Sequence, residues 1–275
     1  VGLLLWRGDG LPTRFAPELR THIAASGDFN QDWSRCTTPT TGPLAGVETC
    51  PIGPDGPPEV LIWGDSHLRA MKEGLEVAAF AANRPALILW HAGCPPLFDV
   101  AKAETAATPA QDAACTRANQ MIRSGIAQMD SLHTLLLVGR WSYYAEGQGV
   151  GLDAHNRIAL APEPGSLLPQ GPQHTLFNAG LTRTLAELSP HFPRIHVLRQ
   201  PPEVPEYDSR AVARALVHGR MSVDDTTRLT VPRAMAEARA TRAEAPLMAL
   251  DRSGAITLID PWPRLCDAST CHVMQ

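Results

Sequence analysis

The sequence predicts an α/β fold in which a mostly parallel sheet is covered by helices on both faces. Two observations carry this. Short apolar runs recur along the chain, each closed by a turn or polar residue, which is how strands buried on both faces read. Longer segments with apolar residues at helical spacing lie between them, and strands alternating with helices wind a parallel sheet. No internal repeat is present.

Taken in order, residues 1–58 are rich in Gly, Pro, Thr and Cys and show no clear period. They read as a linker and disulfide-bearing extension packed on a core formed by 59–275. The opening Val1-Gly2-Leu3-Leu4-Leu5-Trp6 is too short to span a membrane and is not a complete signal peptide. It reads equally as the last turn of a transmembrane helix or as a first strand. The run Glu59-Val60-Leu61-Ile62-Trp63 is a buried strand that stops at Gly64. A helix over 67–83 follows, with Leu68, Met71, Leu75 and Ala79 on one face. Further strands are expected over 86–90, 134–138, 194–198 and 255–259. Further helices are expected over 111–130, 176–188 and the Ala- and Arg-rich 222–243. Proline-rich stretches at 38–58, 162–172 and 201–205 read as ordered loops between these elements.

The 275 residues allow one large α/β domain or two small ones. Hydrophobic residues make up 44% and charged residues 19%, the balance of an ordinary globular chain with a core to bury. The formal net charge is −4, and Lys and Arg are scattered, so no groove for a phosphate backbone is expected and nucleic acid is not an expected partner. No run approaches the roughly 20 apolar residues of a membrane helix. Six cysteines fall in three local pairs, Cys36 with Cys50, Cys94 with Cys115, and Cys266 with Cys271. Spacing alone does not choose among the possible pairings, but an even count in local pairs favours disulfides and an oxidising compartment over buried thiols. Without a Cys-x-x-Cys motif or histidines clustered near the cysteines, no metal site is expected.

Active sites of such sheets lie at the carboxyl ends of the strands, and three segments there hold chemistry. In Trp63-Gly64-Asp65-Ser66-His67 a strand enters a tight turn and a helix leaves, so Ser66 stands beside unpaired backbone N–H groups. A Ser hydroxyl becomes a nucleophile once a base takes its proton; the alternative is that Asp65 or Ser66 only caps the helix. In His91-Ala92-Gly93-Cys94-Pro95-Pro96-Leu97, Gly93 offers an unhindered N–H to an oxyanion, or serves a turn held by the Cys94 disulfide. In Gly139-Arg140-Trp141-Ser142-Tyr143-Tyr144, Arg140 is an oxyanion or substrate ligand or else a structural ion pair, and Trp141 lies beside the site or in the core.

The strand–Gly-Asp-Ser-His–helix unit resembles the first block of the SGNH (GDSL-like) hydrolase superfamily. With the Ala-Gly-Cys-Pro-Pro segment, the Arg-Trp segment, the late Ile-Asp…Leu265-Cys266…Cys271 segment and the opening Gly10-Leu11-Pro12-Thr13-Arg14-Phe15, the chain is similar to the SGNH domain fused to family 3 membrane acyltransferases. The resemblance implies a three-layer α/β/α sandwich with a flavodoxin-like parallel sheet. It implies Ser66 as an acyl-carrying nucleophile and transfer, chiefly of acetyl, to a hydroxyl of a bacterial surface polysaccharide or lipopolysaccharide. It also implies a periplasmic domain tethered to the inner membrane, with the acyl group delivered by a preceding membrane acyltransferase domain. No cofactor is expected.

Two departures stand out. The family's third block carries an Asn that donates to the oxyanion, whereas this chain reads Val138-Gly139-Arg140-Trp141. The family also places an Asp-x-x-His pair, the base and its orienting carboxylate, shortly after the last Cys segment. No Asp-x-x-His occurs here, so the catalytic Asp and His are expected beyond Gln275. Asp267 and His272, at a small disulfide loop, are poor substitutes, and His67, beside Ser66, points in another direction. His22, His133, His155, His174, His191, His196 and His218 read as surface or structural groups. Trp63, Trp90, Trp141 and Trp262 near strand ends either line a sugar site or belong to the core. Two other functions stay open: a carbohydrate acetyl esterase, with water as acceptor, and a non-catalytic glycan-binding module.

Overall fold

The computed structural model describes residues 11–27, 32–226 and 229–273. The opening segment read above as strand or helix end lies outside them.

In chain order the helices are α1 (Pro17–Gly27), α2 (Ser66–Arg69), α3 (Lys72–Ala81), α4 (Pro109–Ile126), α5 (Trp141–Glu146), α6 (Gln173–Leu188), α7 (Ser209–Val217), α8 (Val223–Thr226), α9 (Arg233–Arg252) and α10 (Trp262–Leu265). The strands are β1 (Glu48–Ile52), β2 (Val60–Gly64), β3 (Ala86–Trp90), β4 (Val100–Glu104), β5 (Thr134–Val138), β6 (Ile158–Pro162), β7 (Arg194–Leu198), β8 (Thr230–Pro232), β9 (Thr257–Ile259) and β10 (Thr270–His272).

Six strands form the central sheet in the order β1-β3-β2-β5-β7-β9. All neighbours are parallel except β1, which pairs antiparallel to β3 at one edge. Because side chains alternate across a strand, Leu61 and Trp63 face one layer and Ile62 the other. The first layer buries them with Leu135, Leu137 and Val197 beneath Ile122, Phe177, Leu181 and Leu247 of α4, α6 and α9. On the second, Ile62, Ile88 and Leu68 pack with Leu75 and Ala79 of α3. Each fully buried Leu or Ile stabilises the sandwich by about 1.5–3 kcal/mol. Among the described residues no helix is long and apolar enough to cross a membrane.

Several elements differ from the sequence reading. The helix expected over 67–83 is broken at Ala70–Met71, where Met71 N–H bonds Leu68 O in a tighter turn before α3 starts. The extension expected to be irregular contributes β1 and α1. The helix expected over 222–243 runs instead over Arg233–Arg252, through Pro246, and is preceded by α8 and β8. β8 forms by pairing with β10, and β4 by pairing with β6. These pairings join distant segments and leave no local period.

All six cysteines are paired, Cys36–Cys50, Cys94–Cys115 and Cys266–Cys271. Cys94–Cys115 ties the loop after β3 to α4, whose start is a capping box between Thr108 and Gln111 behind Pro109. The bridge closes a separation of 21 residues. Replacing both cysteines by Ala is expected to cost about 3 kcal/mol in the chain-entropy model, read as a lower urea midpoint.

Candidate active site

The strand order places the ends of β3, β2 and β5 side by side, with Ser66 just past the middle one. Register pairs Gly64 with Trp90 on one side and Val138 on the other. The three segments singled out in the sequence therefore meet at one edge. Gly64 permits this because β2 and β5 approach closely: a Cβ at Gly64 would lie 2.1 Å from Val138 O.

Ser66 opens α2 and is half-buried. Asp65 caps it, with Oδ1 accepting from His67 N–H at 2.8 Å. The other oxygen, Oδ2, accepts from Arg140 N–H at 2.8 Å and from the Tyr144 hydroxyl at 2.5 Å. At 1% exposure Asp65 is a buried carboxylate with three donors, which is what a buried charge requires. Burial alone pushes its pKa up. The nearby His67 and the donors of His67, Tyr144 and Arg140 outweigh this and hold it below the usual range. Burial, then the Asp65 charge, pushes the Tyr144 phenol well above its ordinary value, so it stays a donor. Asp65 thus locks the turn under Ser66 to the end of β5.

His67 is partly exposed, with Nδ1 3.5 Å from Asp65 Oδ1, an ion-pair distance rather than a good hydrogen bond. Among the described residues no side chain is hydrogen-bonded to Ser66. Nor is the N–H of Ser66 or of Gly93 paired with a described residue. Gly93 has φ +60°, a left-handed conformation that favours glycine, and a Cβ there would meet Glu104 Oε2 at 2.7 Å. That carboxylate accepts from Tyr143 OH at 3.0 Å and from Lys102 Nζ at 2.8 Å. Lys102, itself buried, also pairs with Asp112 at 2.9 Å, so beside Gly93 one cation is shared by two carboxylates. Burial, then Glu104, pushes the Tyr143 phenol up. The same loop is held by Asn119, whose Nδ2 donates to Pro95 O and Leu97 O, both at 2.9 Å.

The Arg140 guanidinium, read as a possible oxyanion donor, pairs with Glu203 through Nε at 2.8 Å and Nη2 at 2.7 Å, and with Asp153 through Nη1. Its backbone N–H, bonded to Asp65, is what reaches the Ser66 turn. Trp141 is buried and donates from Nε1 to Leu198 O at 2.8 Å. Trp63 and Trp262 are buried as well, so these three rings belong to the core; Trp90 is half-buried.

Asp267 and His272 do meet, Nε2 to Oδ2 at 3.1 Å. The Asp267 carboxylate also closes the disulfide turn by accepting from the N–H groups of Ser269 and Thr270, which with His272 hold its pKa below the ordinary range. Among the described residues one cluster has metal-ligand spacing, Cys36, Glu48 and Cys50, but both sulfurs are in a disulfide and offer no thiolate.

Sequence reasoning gave no role to Tyr144, Asp153, Gln200 or Glu203. One available signal was position: Gln200 and Glu203 follow β7 and so fall at another strand carboxyl end. A family model described as "SGNH domain (fused to AT3 domains)" matches residues 35–275. No curated protein and no solved structure matches the chain.

Proposed function

Because the chain belongs to the family of SGNH domains fused to AT3 domains, we propose that it moves an acyl group, chiefly acetyl, through an ester on Ser66 onto a hydroxyl of a bacterial surface glycan. The observation that carries this reading is the Ser66 turn itself. Ser66 stands at a helix start on a backbone held by buried Asp65, and neither its N–H nor that of Gly93 is paired with a described residue.

In this reading Ser66 Oγ attacks the acyl carbonyl and its proton passes to a base. The tetrahedral oxyanion accepts from the N–H groups of Ser66 and Gly93, and collapse expels the donor's leaving group, which takes the proton. The sugar hydroxyl then attacks the Ser66 ester, losing its proton to the base and restoring Ser66. The base is the Asp-x-x-His pair that the resemblance places after the Cys266–Cys271 segment. The donor is the membrane AT3 domain, which would tether this domain to the inner membrane. Three disulfides suit a periplasmic site.

The test is p-nitrophenyl acetate hydrolysis by a chain carrying that Asp-x-x-His pair, with mass spectrometry for an acetyl adduct. Ser66→Ala is expected to remove the adduct and lower kcat by about three orders of magnitude or more. Turnover that survives Ser66→Ala sinks the reading. Water as acceptor would make the same acyl-enzyme an esterase, and product analysis with a glycan present separates the two.

A further inference from the structure

Beside the Ser66 turn lies a cavity of 260 Å³, bounded by His67, by Arg140 at the end of β5, by the turn carrying Leu152 and Asp153, and by the loop from Gln200 to Tyr207 after β7. Its size is just below the roughly 300 Å³ at which sites for drug-sized ligands begin, which suits a single sugar ring. His67, the residue after Ser66 in the chain, lines this cavity while Ser66 itself does not, so the cavity flanks the Ser66 turn.

The chemistry of the walls is specific. Gln200 is buried, and its Oε1 accepts from Ser142 N–H at 2.7 Å, which leaves its Nε2 amide group without a described partner at the cavity. Burial, then Asp208, pushes the Tyr207 phenol up, so it remains a hydroxyl donor and acceptor. Prolines 201, 202 and 205 and Leu152, whose side chain is exposed, add a stiff apolar surface of the kind a sugar's C–H face packs on.

The charges are closed among themselves. Arg140 binds Asp153 and Glu203, and Arg239 binds Glu203 at 2.8 Å. Two guanidinium groups thus face two carboxylates, and His67 faces Asp65. An anionic ligand would meet carboxylates whose cations are already engaged. A neutral ring would find what its hydroxyls need, namely carboxylate lone pairs, the Gln200 amide, the Tyr207 hydroxyl and the His67 ring.

We propose that this cavity is the acceptor subsite and that it takes a neutral sugar in preference to one carrying a carboxylate or phosphate. The proposal rests on the acyl-transfer reading and adds the acceptor's position and charge class.

The test is a ¹H–¹⁵N NMR titration of the full chain with methyl glucoside and methyl galactoside against glucuronate and glucose 6-phosphate. The neutral probes are expected to shift the Gln200 side-chain amide and the Leu152 and His67 backbone signals, and to bind about tenfold more tightly than the charged ones, since like-charge juxtaposition is unfavourable. Glu203→Gln releases guanidinium charge from Arg140 and Arg239, so it is expected to raise glucuronate affinity about tenfold. Gln200→Ala is expected to weaken the neutral probes without that gain, and far-UV circular dichroism checks that both variants fold. Charged probes binding as well as neutral ones, shifts that fall elsewhere, or no binding at all would overturn the proposal. The Ser66 adduct is read separately. An adduct without sugar binding here removes only the subsite, whereas binding here without an adduct removes the acyl-transfer reading and with it the acceptor role, leaving a neutral-sugar site.

Discussion

Asp65→Asn is expected to cost about 3 kcal/mol of stability and to cut acyl-enzyme formation at Ser66 sharply. The carboxylate accepts from three donors, and an amide offers one oxygen and one NH₂ in its place. If the Asn oxygen stays with His67 N–H, the NH₂ faces the Arg140 N–H and the Tyr144 hydroxyl. The phenol turns to accept, but the backbone N–H cannot. If the amide is reversed, His67 N–H is the donor left alone. A stranded buried donor costs about 1–3 kcal/mol, and losing a charge-assisted acceptor adds to that.

The effect has a pH signature. The folded Asp65 pKa lies below the ordinary value of 3.8, so the stabilisation from its ionised form is fully present above 3.8. It is lost as pH falls through the folded pKa. The gap between parent and variant should therefore be widest at neutral pH and narrow below 3.8. Urea unfolding across that range checks it. A gap that holds constant or widens in acid would show that Asp65 is not held ionised. Tyr144→Phe, which removes one donor and keeps the charge, should cost less.

Gly64→Ala is expected to destabilise the chain by about 3 kcal/mol or more, the upper end of overpacking effects. The added methyl would lie 2.1 Å from Val138 O and 2.9 Å from Leu68 Cβ. The first of these is backbone in the neighbouring strand, so relief requires β2 and β5 to part where Gly64 pairs with Val138. Ser66 is two residues on and moves with them. Both the urea midpoint and the yield of Ser66 adduct should fall. An Ala variant as stable as the parent would mean that the two strands do not approach this closely. Gly74→Ala, on an exposed helix position with open space around it, is the control.

The strands over 86–90, 134–138 and 194–198 stand where the sequence predicts them. The first two are short apolar runs buried in a parallel sheet, the third alternates buried Ile195 and Val197 with Arg194 and His196, and both patterns are written in adjacent residues. The Gly-Asp-Ser-His turn is legible for a similar reason, since a strand, a glycine and a helix start are all local signals. α9 lies further along than the sequence predicts because its Ala- and Arg-rich stretch has a weak apolar period, and Pro246 sits within a helix held by tertiary packing of Ala240, Ala243 and Leu247. Local pattern also told nothing of β1, β4 or β8, because pairing partners lie far along the chain.

The sequence by itself determined the α/β class, the order of most core elements and the identity of the nucleophile candidate, because periodicity and turn chemistry act between near neighbours. Only the tertiary structure decided which polar groups surround it. Tyr144 meets Asp65 across 79 residues, and Arg140 meets Glu203 across 63. Such contacts follow from strand order, and they form because a buried charge must be paired wherever the topology brings a partner.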